Sequence, residues 1–179
     1  MENTTPFSVI YDSFFSKIVD DMYMEMTEQD TYTIVKELLI TSIHKFEFPR
    51  IDLTNYEDDK IEMDENNEEI LIPAHFNCEL TQEEINILST YMVVEWLGQQ
   101  LATVENTRMK YSGSDFKFTS QANHMSKILS LKKDYEREGF HLQRLYKRRL
   151  KDEDGIMRST FGSIMEESPK GREVQTIWK

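Results

Sequence analysis

The chain has 179 residues, 39% of them hydrophobic and 30% charged, with a formal net charge of −12, the scale of one domain able to bury a core. No apolar run reaches the roughly 18 residues of a membrane-spanning helix, and Met1-Glu2-Asn3-Thr4-Thr5-Pro6 lacks a basic n-region and an apolar h-region, so neither a membrane span nor a signal peptide is expected. Cys78 stands alone, which rules out an intrachain disulfide and fits assembly in a reducing cytoplasm.

Helix patterns dominate the chain. Over 8–23, Ile10, Tyr11, Phe14, Phe15, Ile18, Val19 and Met22 follow the three-to-four spacing of one buried stripe. A second stripe, Ile34, Val35, Leu38, Leu39 and Ile43, follows Asp30, a residue type that caps helix starts by accepting from orphan backbone N–H groups. Pro49 ends it by forcing Phe48 toward an extended conformation. Residues 56–69 carry eight acids and one lysine, the composition of a solvated excursion. Within it, 60–63 and 70–72 can pair as a short hairpin around 64–67.

Thr81-Gln-Glu-Glu84 fits a capping box and predicts a third helix from there to about residue 108. Its apolar residues, from Ile85 to Val104, cover most of its circumference, which places it centrally. Glu95 within it calls for a partner such as an arginine of the next helix, since a buried carboxylate without one has a raised pKa. Ser112-Gly113-Ser114 is a turn signal. A fourth helix is predicted over about 119–150, with Met125, Ile128, Leu131, Tyr135, Leu142, Leu145 and Tyr146 inward and a basic outer face. Gly139 sits inside it at a cost of roughly 1 kcal/mol relative to Ala, which suggests a kink or close packing. Beyond Gly155 the pattern stops, and the tail reads as extended. The expected architecture is therefore all-α: about four main helices over 1–151, with an acidic loop or short hairpin at about 50–80, then an extended arm over 152–179.

Charge is divided along the chain. Residues 1–107 carry 23 acids and 5 bases, whereas 108–151 carry 12 bases and 4 acids. Opposite poles on one small protein favour head-to-tail contact between copies and steer charged partners.

Catalytic and cofactor signatures are missing. Glu138-Gly139-Phe140-His141 has the Glu-x-x-His spacing of di-iron bundles, but such a site needs a second copy and two more carboxylates. A metal-dependent enzyme around His141 is accordingly the weakest reading, and no metal or cofactor is expected. The acidic run lacks the glycine and ligand spacing of an EF-hand. Ser112-Gly-Ser114-Asp115 lacks a nucleophile elbow, Cys78 and His75 are merely close in sequence, and no glycine-rich phosphate loop occurs. Arg144, Lys147, Arg148, Arg149 and Lys151 cluster with Tyr146. They suit phosphate contact with aromatic stacking, so a nucleic-acid-binding module built on 119–150 is the main alternative. Complementing the helix dipole or an acidic neighbour is the favoured account, since the net charge weakens long-range attraction to DNA.

One pattern is more specific. The blocks 84–88 and 95–97, then Thr107-Arg-Met-Lys-Tyr-Ser-Gly-Ser-Asp-Phe-Lys117, Ser120-Gln-Ala-Asn-His124 and Leu142-Gln-Arg-Leu-Tyr-Lys-Arg-Arg149, resemble the head–tail connector, or neck, proteins of tailed bacteriophages over about residues 7–165. The resemblance implies a helical, non-enzymatic virion protein assembled in the host cytoplasm. It would form a ring on the portal, next to other neck and tail proteins, with DNA passing through the lumen unbound. It carries over no defined binding residue. Arg144, Lys147, Arg148 and Arg149 are the expected interface residues, and Phe161 and Trp178 are candidate anchors of the arm.

Overall fold

The computed structural model describes residues 4–18, 26–63, 69–110, 118–151 and 157–159; for 105–110, 118–122, 150–151 and 157–159 the description is of the backbone alone. Among the described residues there are four helices: α1 (Phe7–Phe15), α2 (Glu28–Ile43), α3 (Gln82–Lys110) and α4 (Phe118–Arg148). Five short strands accompany them in the first part of the chain: β1 (Thr5–Pro6), β2 (Tyr56–Glu57), β3 (Lys60–Met63), β4 (Glu69–Ile72) and β5 (His75–Phe76). Two more, β6 (Arg149–Lys151) and β7 (Met157–Ser159), follow α4. The chain divides into two compact units, Met1–Gln143 and Arg144–Lys179.

The all-α expectation is therefore corrected to a mixed α/β fold with helices predominating. A three-stranded antiparallel sheet runs β1-β5-β2, with Thr5 and Tyr56 both opposite Phe76. Its strands have two residues each, too short for a period-two pattern to show in sequence. Pro6 fits because β1 is an edge strand, where a missing N–H costs no ladder bond. β3 and β4 pair with Ile61 opposite Leu71, close to the hairpin expected there. In the second unit β6 pairs with β7, Leu150 opposite Arg158.

The sheet and α1 are continuous. Phe7 opens α1 with its N–H donated to Ala74 O at 3.0 Å, and its ring lies 4.8 Å from that of Phe76 and 5.6 Å from that of Tyr56. Ile10 and Phe14 follow on the same helix face, both fully buried. Each such side chain stabilises the fold by about 2 kcal/mol on leaving water. α3 packs against both α1 and α2, the central position its near-continuous apolar surface predicts. Polar seams fix the α1–α3 pairing: Ser13 Oγ donates to Ser89 Oγ at 2.9 Å, and Lys17 Nζ to Asn86 Oδ1 at 2.6 Å. Burial lowers the Lys17 pKa, with Glu138 partly offsetting it.

Two helix starts show how local chemistry sets the boundaries. Thr81 N–H donates to Glu84 Oε2 at 2.7 Å and Thr81 Oγ1 accepts from Glu84 N–H at 3.4 Å, the capping box expected for α3. At α2 the cap is Thr27, three residues ahead of the Asp30 expected from sequence. Thr27 Oγ1 accepts from Asp30 N–H and donates to the Asp30 carboxylate, so Asp30 serves as the reciprocal partner. Among the described residues no helix is long and apolar enough to cross a membrane.

α4 runs antiparallel to α3, since Gly139 faces Tyr91 while Lys132 approaches Gly98. Gly139 marks close packing, as its position inside the helix suggested. Gln143, 5% exposed, then ties the end of α2 to α4. Its Nε2 donates to Lys45 O at 2.8 Å and to the Tyr91 hydroxyl, and its Oε1 accepts from Glu47 N–H at 2.9 Å. Glu95 is paired with Lys45 rather than with an arginine of α4.

Candidate functional site

The acidic excursion is anchored at its base by a lysine. Lys36, on α2, forms ion pairs with Asp58 and, at 2.8 Å, with Asp59. Asp59 Oδ1 also accepts from the Tyr32 hydroxyl at 2.7 Å and from Ala74 N–H at 3.0 Å. Burial alone would raise the Asp59 pKa, but Lys36, Tyr32 and the Ala74 N–H favour the charged form and hold it at about 2. Tyr32 is pushed up to about 12 by burial and by its bond to that carboxylate. Lys36 is held well above the ordinary lysine range, its two aspartates outweighing burial. Neither Tyr32 nor Asp59 stands out in the sequence. Lys36 does carry a signal: it is the sole base over 18–44 and so the natural counter-ion for the acids that follow.

From this clamp the β3–β4 hairpin projects into solvent. All eight of its residues are exposed except the half-buried Ile72. Ile61, Met63 and Leu71 are more than 60% exposed, and alternation along the strands puts all three on one face with Glu69. The excursion thus presents an apolar face that carries Glu69, with Glu62 on the opposite face.

The basic candidates lie in the second unit. Arg144, Lys147 and Arg148 are exposed on the last turns of α4, where cations complement the helix dipole. Arg149, also exposed, is the first residue of β6, because the helix ends two residues short of the expected position. Tyr146 between them is 2% exposed, which removes it as a stacking platform for a base. Phe161 and Trp178 lie outside the described residues.

His141 and Glu138 are exposed on α4, and among the described residues no three metal-ligating side chains come together. Cys78 is half-buried, and burial with the nearby Glu84 and Asp52 raises its thiol pKa. His75 directs Nδ1 to Pro73 O, at 3.0 Å. That geometry provides no activated thiolate.

A cavity of about 280 Å³ lies between α1 and α2, lined by Tyr11, Phe15, Met26, Thr31, Tyr32 and Val35. The Tyr11 and Thr31 hydroxyls have no hydrogen-bond partner among the described residues. Tyr11 is 7% exposed, and burial, then the neighbouring Tyr32 and Asp59, hold its phenol far above the ordinary range. Tyr32 stands near enough to add to that shift without completing a hydrogen bond. No family model matches the chain, nor does any curated protein or solved structure.

Proposed function

We propose that this chain is a non-enzymatic structural protein of a tailed-phage virion, a connector at the head–tail junction that forms a ring docked on the portal. The observation that carries the reading is the division of charge on one chain. An acidic element projects from the first unit, and exposed Arg144, Lys147, Arg148 and Arg149 lie in the second. A ring is built from a heterologous interface, one face meeting a different face of the next copy, and opposite charges specify which faces meet. The resemblance of the 84–149 pattern to neck proteins supplies the setting: portal below, neighbouring neck and tail proteins above, DNA passing through the lumen unbound.

Reversing Arg148 and Arg149 together (Arg148→Glu, Arg149→Glu) tests it in the phage that encodes the chain. The expected result is a loss of infectious particles with full heads and no tails attached. Wild-type yield would count against the reading. Nucleic-acid binding by the basic helix is less well supported because Tyr146 is buried, leaving phosphate contact without stacking.

A further inference from the structure

Ten large hydrophobic side chains are exposed among the described residues, and seven of them fall on two elements. Four belong to the β3–β4 hairpin: Ile61, Met63, Ile70 and Leu71. Three belong to α4: Leu129, Leu131 and Phe140, 45%, 46% and 52% exposed, Leu131 contrary to the inward position expected for it. A two-stranded hairpin with both faces in water is marginally stable by itself, so an apolar face on it implies a covering surface. Glu69 lies on that face and Glu62 on the other, so that surface offers a base beside apolar side chains.

The outward row of α4 places bases between apolar side chains. Leu129, Lys133, Arg137 and Phe140 follow one another at intervals of four, four and three residues, all exposed, and so form one ridge. The ridge is roughly 16 Å long at 1.5 Å per residue, enough to receive a strand pair of four residues each. Its acid, Glu136, is already paired with Lys132 at 3.3 Å, and Arg137 holds Asp134 at 2.6 Å. Lys133 is the exposed base on the ridge best placed for a foreign carboxylate.

We propose that the Ile61–Met63–Leu71–Glu69 face of one copy docks on the Leu129–Lys133–Arg137–Phe140 ridge of the next. Ile61, Met63 and Leu71 cover Leu129 and Phe140, and Glu69 meets Lys133. The two surfaces are different, so each copy has one of each to offer and the contact propagates head to tail. This deepens the ring reading given above and rests on it. One such contact is smaller than the roughly 800 Å² per partner of a standard interface, so it is weak singly and gains its strength from ring closure.

The test uses the full chain at about 100 μM, with sedimentation velocity and carbodiimide cross-linking of mixed light and heavy isotope-labelled protein. The expected wild-type result is self-association with a Glu69–Lys133 cross-link joining light to heavy chains. Glu69→Lys and Lys133→Glu should each weaken association about tenfold or more, and the two combined should restore it. Ile61→Asp with Leu71→Asp should abolish it while circular dichroism stays unchanged, since both side chains are already in water. Unchanged association in these variants, or charge reversals that fail to rescue one another, overturns the proposal. So does a monomeric wild-type chain. Copy number in virions decides the connector reading separately, so the two failures are told apart.

Discussion

Gly139 stands against the ring of Tyr91: a Cβ placed on the glycine would lie 2.9 Å from Tyr91 Cζ and 3.2 Å from its hydroxyl oxygen. The ring cannot simply withdraw, because it is 7% exposed and its hydroxyl accepts from Gln143. In an isolated helix Gly139→Ala would gain about 1 kcal/mol. Here the clash reverses the sign, and the substitution should destabilise the chain by about 1–2 kcal/mol in urea unfolding. In a Tyr91→Ala background, with the ring gone, the same substitution should become stabilising.

Gln143 offers a second check on how α4 is attached. Gln143→Leu keeps the size of the side chain but leaves Lys45 O and Glu47 N–H without their partners. The expected cost is about 2–3 kcal/mol, the penalty of stranding buried polar groups. A cost below about 0.5 kcal/mol would mean that water replaces both bonds at once.

The clamp at the base of the hairpin should be acid-labile. The Asp59 pKa is lowered from 3.8 to about 2: burial opposes this, but Lys36, Tyr32 and Ala74 N–H prevail. On acidification the unfolded chain takes up the proton first, so the stabilisation is complete above about pH 4 and is lost between about pH 4 and pH 2. Asp58 shifts in the same direction through its pairing with Lys36. Screening by solvent limits the Asp59 contribution to about 1 kcal/mol. The stability difference between wild type and Asp59→Asn should therefore shrink as pH falls from 6 to 2, measured by urea denaturation at each pH.

How far the sequence foretold this structure differs from element to element. The stripe expected over 8–23 and the Thr81–Glu84 box act within a few residues of chain, and the box appears where its spacing placed it. The helix of the stripe ends at Phe15, with Ile10, Tyr11 and Phe14 buried, Ile18 beyond it, and Val19 and Met22 outside the described residues. The hairpin at 60–72 was legible because acids interrupt two short apolar segments. The β1-β5-β2 sheet was not, since Thr5 meets Phe76 across 71 positions of chain and Tyr56 meets it across 20, and a two-residue strand has no periodicity. Lys45 was missed as the partner of Glu95 for the same reason. It comes from the turn after α2, whose approach to α3 depends on tertiary packing alone.

Tyr11 supplies a prediction of opposite sign. Its hydroxyl is buried without a hydrogen-bond partner among the described residues, whereas its ring packs edge-on against Phe7 at 6.3 Å and Tyr32 at 5.8 Å. Tyr11→Phe keeps the ring and removes the stranded hydroxyl, so it should raise stability by about 1 kcal/mol. A loss of that size in thermal unfolding would reveal a hydrogen-bond partner for the hydroxyl.

We propose that the divided charge serves assembly at a phage neck. That claim is tested most directly by quantitative mass spectrometry of tailed-phage particles purified from the source culture, counting this chain against the portal protein. About one copy per portal subunit, retained through washing in high salt, is the predicted result. Absence from the particles would contradict the connector reading outright.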